Sequence, residues 1–332
     1  MEVTLQQIAE HSGVSLATVS RVINHTGNVS TVTAAKVKKA ADELGYYNRI
    51  LSQDGKSGSD CLMIALIVPQ LSNPFYSDII DGVQDTAFRN GYNLVVAQSR
   101  SGSSFGSDSN HFLRQDIIQG MITLDHSGHL RKLLKNISPD LPVVQCCEYD
   151  DRLPYPSVAI DDYSAAMNAV NYLVSTGHQK IALFNSTCNS LYGSKRESGY
   201  RDALRHCGLS PEEKWIYHLE VIDFNIAYAA ALKMFEEKDR PDAVFTVSDV
   251  YAAAVIRAAK KAGLAVPKDI AVIGFDNTEI SLMIDPPLTT VSQPRYDIGS
   301  TACRILLNLI QGKTPASQKL LIETDLIIRS ST

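Results

Sequence analysis

Apolar positions follow two different rhythms along this chain. Between Thr4 and Leu44 they recur every three or four residues in segments about two turns long: Leu5, Ile8 and Ala9, then Val19 and Val22. That spacing gathers them on one face of each helix. From Leu62 onward, solid apolar runs of strand length alternate with amphipathic stretches of helix length. "LMIALIVPQ" (62–70) reads as a buried strand, 77–91 as a helix closed by Gly91, and "YNLVVAQS" (92–99) as the next strand. Strand, helix, strand in that order predicts a parallel sheet. A Ser/Gly-rich turn at 100–109 leads to a further helix and the strands "GMITLD" and "PVVQCCE". The alternation restarts after Asp161-Asp162 with helix 163–176, "KIALFN", helix 194–207, "AVFTVSD", helix 250–263 and "IAVIGFD". The expected fold class is a small all-α domain followed by α/β, with two doubly wound parallel-sheet subdomains. A ligand would then sit in the cleft beyond the carboxyl ends of the strands.

The N-terminal rhythm carries its own punctuation. Thr4 is placed to cap the first helix, Gly13 to end it, and Ser15 to cap the second, Leu16 to Asn24. Small Ala9 lets the helices approach and Gly13 allows a tight bend, so the pair reads as a helix-turn-helix. Such a motif puts the N-terminal end of its second helix into the DNA major groove. Ser30 and Thr33 start a third helix over 33–44. An αα-corner inside a larger fold would share this apolar spacing; the polar face argues against it. Ser15, Thr18, Ser20, Arg21 and Asn24, beside Lys36, Lys38 and Lys39, suit phosphates and base edges.

Composition narrows the choice. At 332 residues, 45% hydrophobic and 20% charged, the chain is long enough for two or three cores. Its net charge of −5 gives no overall pull toward a polyanion, so any nucleic-acid site must be local. Residues 1–49 carry a net +1, leaving the rest near −6. Six cysteines are too few for a disulfide framework and lack zinc-site spacing, which points to reduced thiols in a cytoplasmic protein and to no metal. Vicinal Cys146-Cys147 read as strand thiols. No apolar run is long enough to cross a bilayer and no signal peptide opens the chain, so no membrane partner is expected. No GxGxxG or GxxxxGKS/T follows a strand, and no cofactor is expected. The eight histidines are scattered and neither GxSxG nor HExxH occurs, which speaks against an enzyme. His178, at a helix-to-strand turn, reads as a C-terminal cap.

Several strand ends carry groups suited to a hydroxyl-rich ligand: Phe75 and Tyr76 in "SNPFY", Arg196 in "KRESGY", Phe224 in "IDFN", Ser248 and Asp249 in "VSD", Asp276 in "GFDN" and Gln293 in "TTVSQP". A planar guanidinium with a carboxylate can hold paired hydroxyls while aromatic faces cover the C–H side of a ring. Asp249 reads as structural, a cap for helix 250–263.

At "VTLQQIAEHSGVSLATVSRVIN" the chain closely resembles the lac-repressor (LacI/GalR) family of bacterial transcription regulators. The likeness continues through "GHQKIALF", "RESGYRDAL" and "SDVYAAAVIRAAKKAGLAVPKDIAVIGFDN". In "DPPLTTVSQPRYDIG" and "NAVNYLVSTGH" it is nearest in look to the cytidine-responsive members. The resemblance implies that Leu16, Ala17 and Arg21 read base edges, while Thr4, Ser15, Thr18, Ser20, Asn24, Ser30 and Thr33 hold the phosphate backbone. It implies a body of the periplasmic-binding-protein type that dimerises, or assembles further. That body would take a sugar or nucleoside effector on Phe75, Arg196, Phe224, Ser248, Asp276 and Gln293. Two departures stand out. Cys147 occupies a strand end where relatives often place Asp or Asn. The polar stretch after Tyr47 has Asn48-Arg49 in place of Pro-Asn and lacks the Ala-Arg-x-Leu of a hinge helix, so the wedge role is not assigned to Leu51.

The expected organisation is a DNA-binding domain at 1–48, a linker at 49–60 and an effector-binding, dimerising domain at 61–332. Its N-subdomain would span about 61–160 and 292–322, its C-subdomain about 161–291 and 323–332. The expected function is a dimeric repressor of a palindromic double-stranded DNA operator, switched by a small ligand. A periplasmic-type solute-binding protein is the competing reading; the capped helix pair at 4–24 stands against it.

Overall fold

The structure is a computed structural model and describes residues 4–23, 29, 31–44, 62–99, 118–125, 131, 134, 140–187 and 190–332. It divides into two compact units, Met1–Cys61 and Leu62–Thr332. The linker at 49–60, with Leu51, and the helix expected after 109 lie outside the described residues.

The first unit holds α1 (Leu5–Ser12), α2 (Leu16–Ile23) and α3 (Thr31–Glu43), the last starting two residues before the expected Thr33. Thr4 and Gln7 form a reciprocal capping box: the Gln7 amide donates to Thr4 Oγ1 at 3.3 Å and the Thr4 amide to Gln7 Oε1 at 2.8 Å. Gly13 ends α1 at φ 69°, a left-handed conformation that glycine adopts without steric cost. Ile8, Ala9, Val19, Val22, Val37 and Ala41 bury one small shared core. His11 Nε2 lies 2.9 Å from Glu43 Oε2, joining α1 to α3 and lowering the Glu43 pKa.

The second unit contains two six-stranded sheets. In chain order its elements are β1 (Met63–Val68), α4 (Tyr76–Arg89), β2 (Asn93–Gln98), β3 (Ile118–Thr123), β4 (Val143–Cys146), β5 (Ser157–Ile160), α5 (Asp162–Ser175), β6 (Ile181–Ser186) and α6 (Leu191–His206). There follow β7 (Ile216–Leu219), α7 (Phe224–Glu236), β8 (Ala243–Thr246), α8 (Asp249–Lys261), β9 (Ala271–Asp276) and the short α9 (Ile280–Met283). The chain ends with β10 (Thr289–Ser292), α10 (Arg295–Ile310), β11 (Lys319–Ile322) and β12 (Asp325–Ile327).

The first sheet has the order β2-β1-β3-β4-β5-β11 and the second β7-β6-β8-β9-β10-β12. Both share one doubly wound order with a sixth strand borrowed from the chain end, parallel throughout except where β12 runs antiparallel to β10. β1, β6 and β9 are buried almost throughout, and their apolar runs, ended by Asn185-Ser186 in β6 and Asp276 in β9, are those of strands covered on both faces. The chain passes between the sheets three times: from β5 to α5, from β10 to α10 and from β11 to β12. After the second passage α10 lies close against α4. A Cβ on Gly82 would stand well inside van der Waals distance of the Tyr296 carbonyl oxygen, and one on Gly299 equally close to that of Ile79.

Two expected caps differ. Ser248, one residue ahead of Asp249, caps α8 by accepting from the Val250 amide at 3.3 Å. Asp249 is instead a buried strut. His178 Nδ1 points to Asp242 Oδ1 at 3.5 Å, and the turn after α5 is closed by backbone bonds, among them the His178 amide to the Leu173 carbonyl.

Candidate functional site

The first candidate surface is α2. Ser15 Oγ accepts from the Thr18 amide at 3.2 Å and lies 2.8 Å from Thr18 Oγ1, so the two hydroxyls that start the helix hold each other and its first turn. Ala17 and Arg21, one turn apart, share an exposed face, and Leu16 is 46% exposed despite its size. Thr18 and Ser20 are half-buried on the same helix, Thr33 is half-buried on α3, and Thr4 sits exposed at the start of α1. Asn24 and Ser30 lie outside the described residues.

The second lies in the body, where the strands of both sheets end. Its centre is Arg196 on α6, 5% exposed. The guanidinium donates from Nε to Asp162 Oδ1 at 2.8 Å and from Nη1 to the Val247 carbonyl at 2.8 Å. The Phe275 ring centroid lies 3.5 Å from its Cζ and that of Tyr192 4.9 Å. Asp276 closes β9 at φ 107°, a conformation L residues rarely adopt. Its Oδ1 accepts from Gln293 Nε2 at 2.8 Å and stands 4.0 Å from Arg196 Nη1. Burial pushes the Asp276 carboxyl up to about 8; Arg196 works against that rise and Asp249 adds to it. Asp162, also buried, has its pKa raised by desolvation despite the arginine.

Arg196, Asp276 and Gln293 are therefore brought together. Ser248 adjoins the Val247 carbonyl that Arg196 holds, but its hydroxyl serves as the α8 cap. Phe75 directly precedes α4 and meets Tyr76 edge-on, with 5.1 Å between centroids. Burial pushes the Tyr76 phenol well up, reinforced by Tyr192, Cys147, Glu148 and Asp276 around it. The Phe224 ring, at the start of α7, stacks on Tyr228 with 6.0 Å between centroids and lies 5.9 Å from the Arg257 Cζ.

Three residues that sequence reading passed over join the cluster. Glu148, just after β4, reaches the start of α6 and accepts from the Leu191 and Tyr192 amides at 3.0 and 2.9 Å. One residue past Cys147, it returns a carboxylate to the region where the sequence had lost an acceptor. Arg295 pairs with Asp78 Oδ2 at 2.6 Å and donates to the carbonyls of Pro74 and Asn277, tying the Phe75 loop to the end of β9. Tyr192 packs its ring against Arg196. The acidic Glu148 and the Arg295 next to Pro294 were visible as residue types; their partners lie 18 to 221 positions away.

Residues 4–48 match the family model described as bacterial regulatory proteins, lacI family, and residues 170–332 the periplasmic binding protein-like domain. Over 329 residues, 99% of this chain and 96% of the relative, the sequence is 34% identical to the HTH-type transcriptional repressor CytR of Escherichia coli (strain K12). The chain belongs to the lacI family of bacterial regulatory proteins. Catabolite control protein A of Priestia megaterium is 33% identical, with all of both chains covered. Among solved structures, the lac repressor dimer bound to operator and an anti-inducer matches with a TM-score of 0.73 at 28% identity, covering 100% of this chain and 99% of that one. The transcriptional regulator CelR in complex with cellobiose gives 0.74 at 29%, with full coverage of both. These lacI-family likenesses run through helix-turn-helix and body alike.

Proposed function

We propose that the exposed face of α2 and the Arg196–Asp276–Gln293 cluster are the two working surfaces of this regulator. The protein is a DNA-binding transcription repressor that responds to a small ligand and acts as a dimer on operator DNA. No helix among the described residues is long and apolar enough to cross a membrane; we place the protein in the cytoplasm, with its DNA. The working division is a DNA-reading unit at 1–48, a linker at 49–60 and an effector-binding body at 61–332, its two halves divided as the sequence indicates.

On α2, Arg21 is assigned to bidentate recognition of a guanine. Leu16 and Ala17, which offer no hydrogen bonds from their side chains, are assigned to thymine methyls. Thr4, Ser15, Thr18, Ser20 and Thr33, with Asn24 and Ser30, are assigned to phosphates. In the body, Arg196, Asp276 and Gln293 hold the polar edge of a sugar or nucleoside, and Phe75 and Ser248 border it. Phe224 is kept as a ring-covering residue on the strength of the family resemblance alone.

The observation that carries the effector assignment is the burial together of Asp276 and Gln293, hydrogen-bonded at 2.8 Å at the carboxyl ends of the parallel strands β9 and β10, with the Arg196 guanidinium of α6 4.0 Å from the carboxylate. A ligand there shifts operator binding only by the difference in its affinity for the two arrangements of the body. Titrating candidate effectors while following operator binding tests this. Asp276→Ala should cost about 1–3 kcal/mol of ligand affinity by leaving ligand groups unpaired. An unchanged midpoint and amplitude removes Asp276 from the site.

A further inference from the structure

Around Asp276 the buried acids outnumber the buried bases. Glu148, Asp162, Asp249 and Asp276 are all at most 7% exposed, and they face two buried arginines, Arg196 and Arg295. Both arginines are already engaged. Arg196 is held by Asp162 and the Val247 carbonyl; Arg295 by Asp78 and the carbonyls of Pro74 and Asn277. The backbone amides at the start of α6 would otherwise attract an anion, and they are filled by the Glu148 carboxylate at 3.0 and 2.9 Å. Among the described residues, the two arginines and the α6 amides are thus paired with the protein's own oxygen atoms.

We propose that Glu148 sets the charge selectivity of this cleft, so that the effector is an uncharged molecule bearing hydroxyl or amino donors and its phosphorylated counterpart is rejected. The inference rests on the effector cleft assigned above. Asp276 takes one side-chain hydrogen bond among the described contacts, from Gln293 to Oδ1, and even a protonated carboxyl keeps further lone pairs. Acceptor capacity for a ligand donor therefore remains. A second anion beside Glu148 would meet like charge in a site with little water, a repulsion that rejects wrong ligands effectively. Burial lifts the Glu148 carboxyl to about 7 against the two amides that favour its charge, so the site already makes negative charge costly by desolvation, and the repulsion of a second anion is complete above that pH, where the probes are compared.

The test uses the full-length protein and matched probes: the four ribonucleosides with their 5′-monophosphates, and ribose, glucose and galactose with their sugar phosphates. Dissociation constants are measured by calorimetry for wild type, Glu148→Ala and Glu148→Gln. Glu148→Gln keeps the side-chain volume and an acceptor for the α6 amides, so it remains informative if the alanine variant fails to fold. In every pair that binds, the uncharged member is expected to bind roughly 100-fold tighter or more. That ratio should fall about tenfold or more in each variant. A phosphorylated probe that binds wild type as tightly as its partner overturns the inference, as does a ratio unmoved in both variants. Binding by neither class, with operator binding insensitive to every probe, overturns the effector assignment itself.

Discussion

Gln293 donates a hydrogen bond to Asp276 at 2.8 Å from the neighbouring strand end, and the acceptor carboxyl is buried beside Asp249 with Arg196 4.0 Å away. The pairing fixes the direction of a pH effect. An aspartate that binds its proton more tightly in the folded chain than in the unfolded one favours the fold while protonated. That contribution is complete below the unfolded value of 3.8 and is lost as pH rises through about 8. The ligand-free protein should accordingly lose thermal stability between pH 5 and pH 8.5, roughly the window these values bound. Asp276→Asn, which keeps an acceptor for Gln293, should flatten that slope without abolishing it, because Glu148 titrates in the same sense. A slope identical in both proteins, followed by thermal melting, would contradict the raised carboxyl.

Arg21→Ala is expected to weaken operator binding by about 1–3 kcal/mol and to relax preference at one base pair in each half-site. Binding to a set of operators substituted one pair at a time measures this. A loss spread evenly over all of them would make Arg21 a phosphate contact instead.

Gly82→Ala and Gly299→Ala each drive a methyl group into a backbone carbonyl of the facing helix, that of Tyr296 and that of Ile79. Relieving either clash means separating α4 from α10, and a cost of about 1–3 kcal/mol or more is expected in urea unfolding. An unchanged unfolding midpoint would show that the two helices do not meet this closely.

Asp249 accepts from the Thr278 amide at 2.6 Å, from Thr278 Oγ1 at 2.9 Å and from Thr290 Oγ1 at 2.7 Å, binding the start of α8 to the loop after β9 and to the neighbouring strand β10. Asp249→Ala should destabilise the body by about 1–3 kcal/mol for each donor left orphaned. Ser248→Ala, which removes only the α8 cap, should cost about 0.5–2 kcal/mol. Chemical denaturation of the two variants ranks them, and a larger loss from Ser248→Ala would make Ser248 rather than Asp249 the main support of this corner.

The helix-turn-helix and the strand–helix alternation were legible because local chemistry determines them: Thr4, Gly13 and Ser15 punctuate the helices, and strands buried on both faces must be apolar. The last two strands were not read as strands, although the expected subdomain boundary at 322/323 falls between them: in "KLLIETDLIIRS" the apolar pattern does not say that Lys319–Ile322 pairs with one sheet and Asp325–Ile327 with the other, which tertiary pairing decides. The cap of α8 was legible only to within one position, since Ser and Asp are both good caps and the sequence does not say which begins the helix. Asp276 stood out as a charged residue ending an apolar strand; Arg196, grouped with the strand ends in the sequence, lies instead within helix α6. Glu148 escaped notice because its partners are amides 43 and 44 residues away, and backbone groups leave no trace in a residue pattern.

The three passages of the chain between the sheets make the two halves of the body inseparable as genetic parts. Neither half is one stretch of sequence: the first sheet takes its edge strand from 319–322, and the second its own from 325–327. A cut at 160 would leave the first half without β11 and without the helix that packs on α4. Residues 1–61, by contrast, are a single contiguous unit. Recombination can therefore exchange the DNA address of this protein as one cassette, while its ligand receiver must be inherited whole and can change only residue by residue.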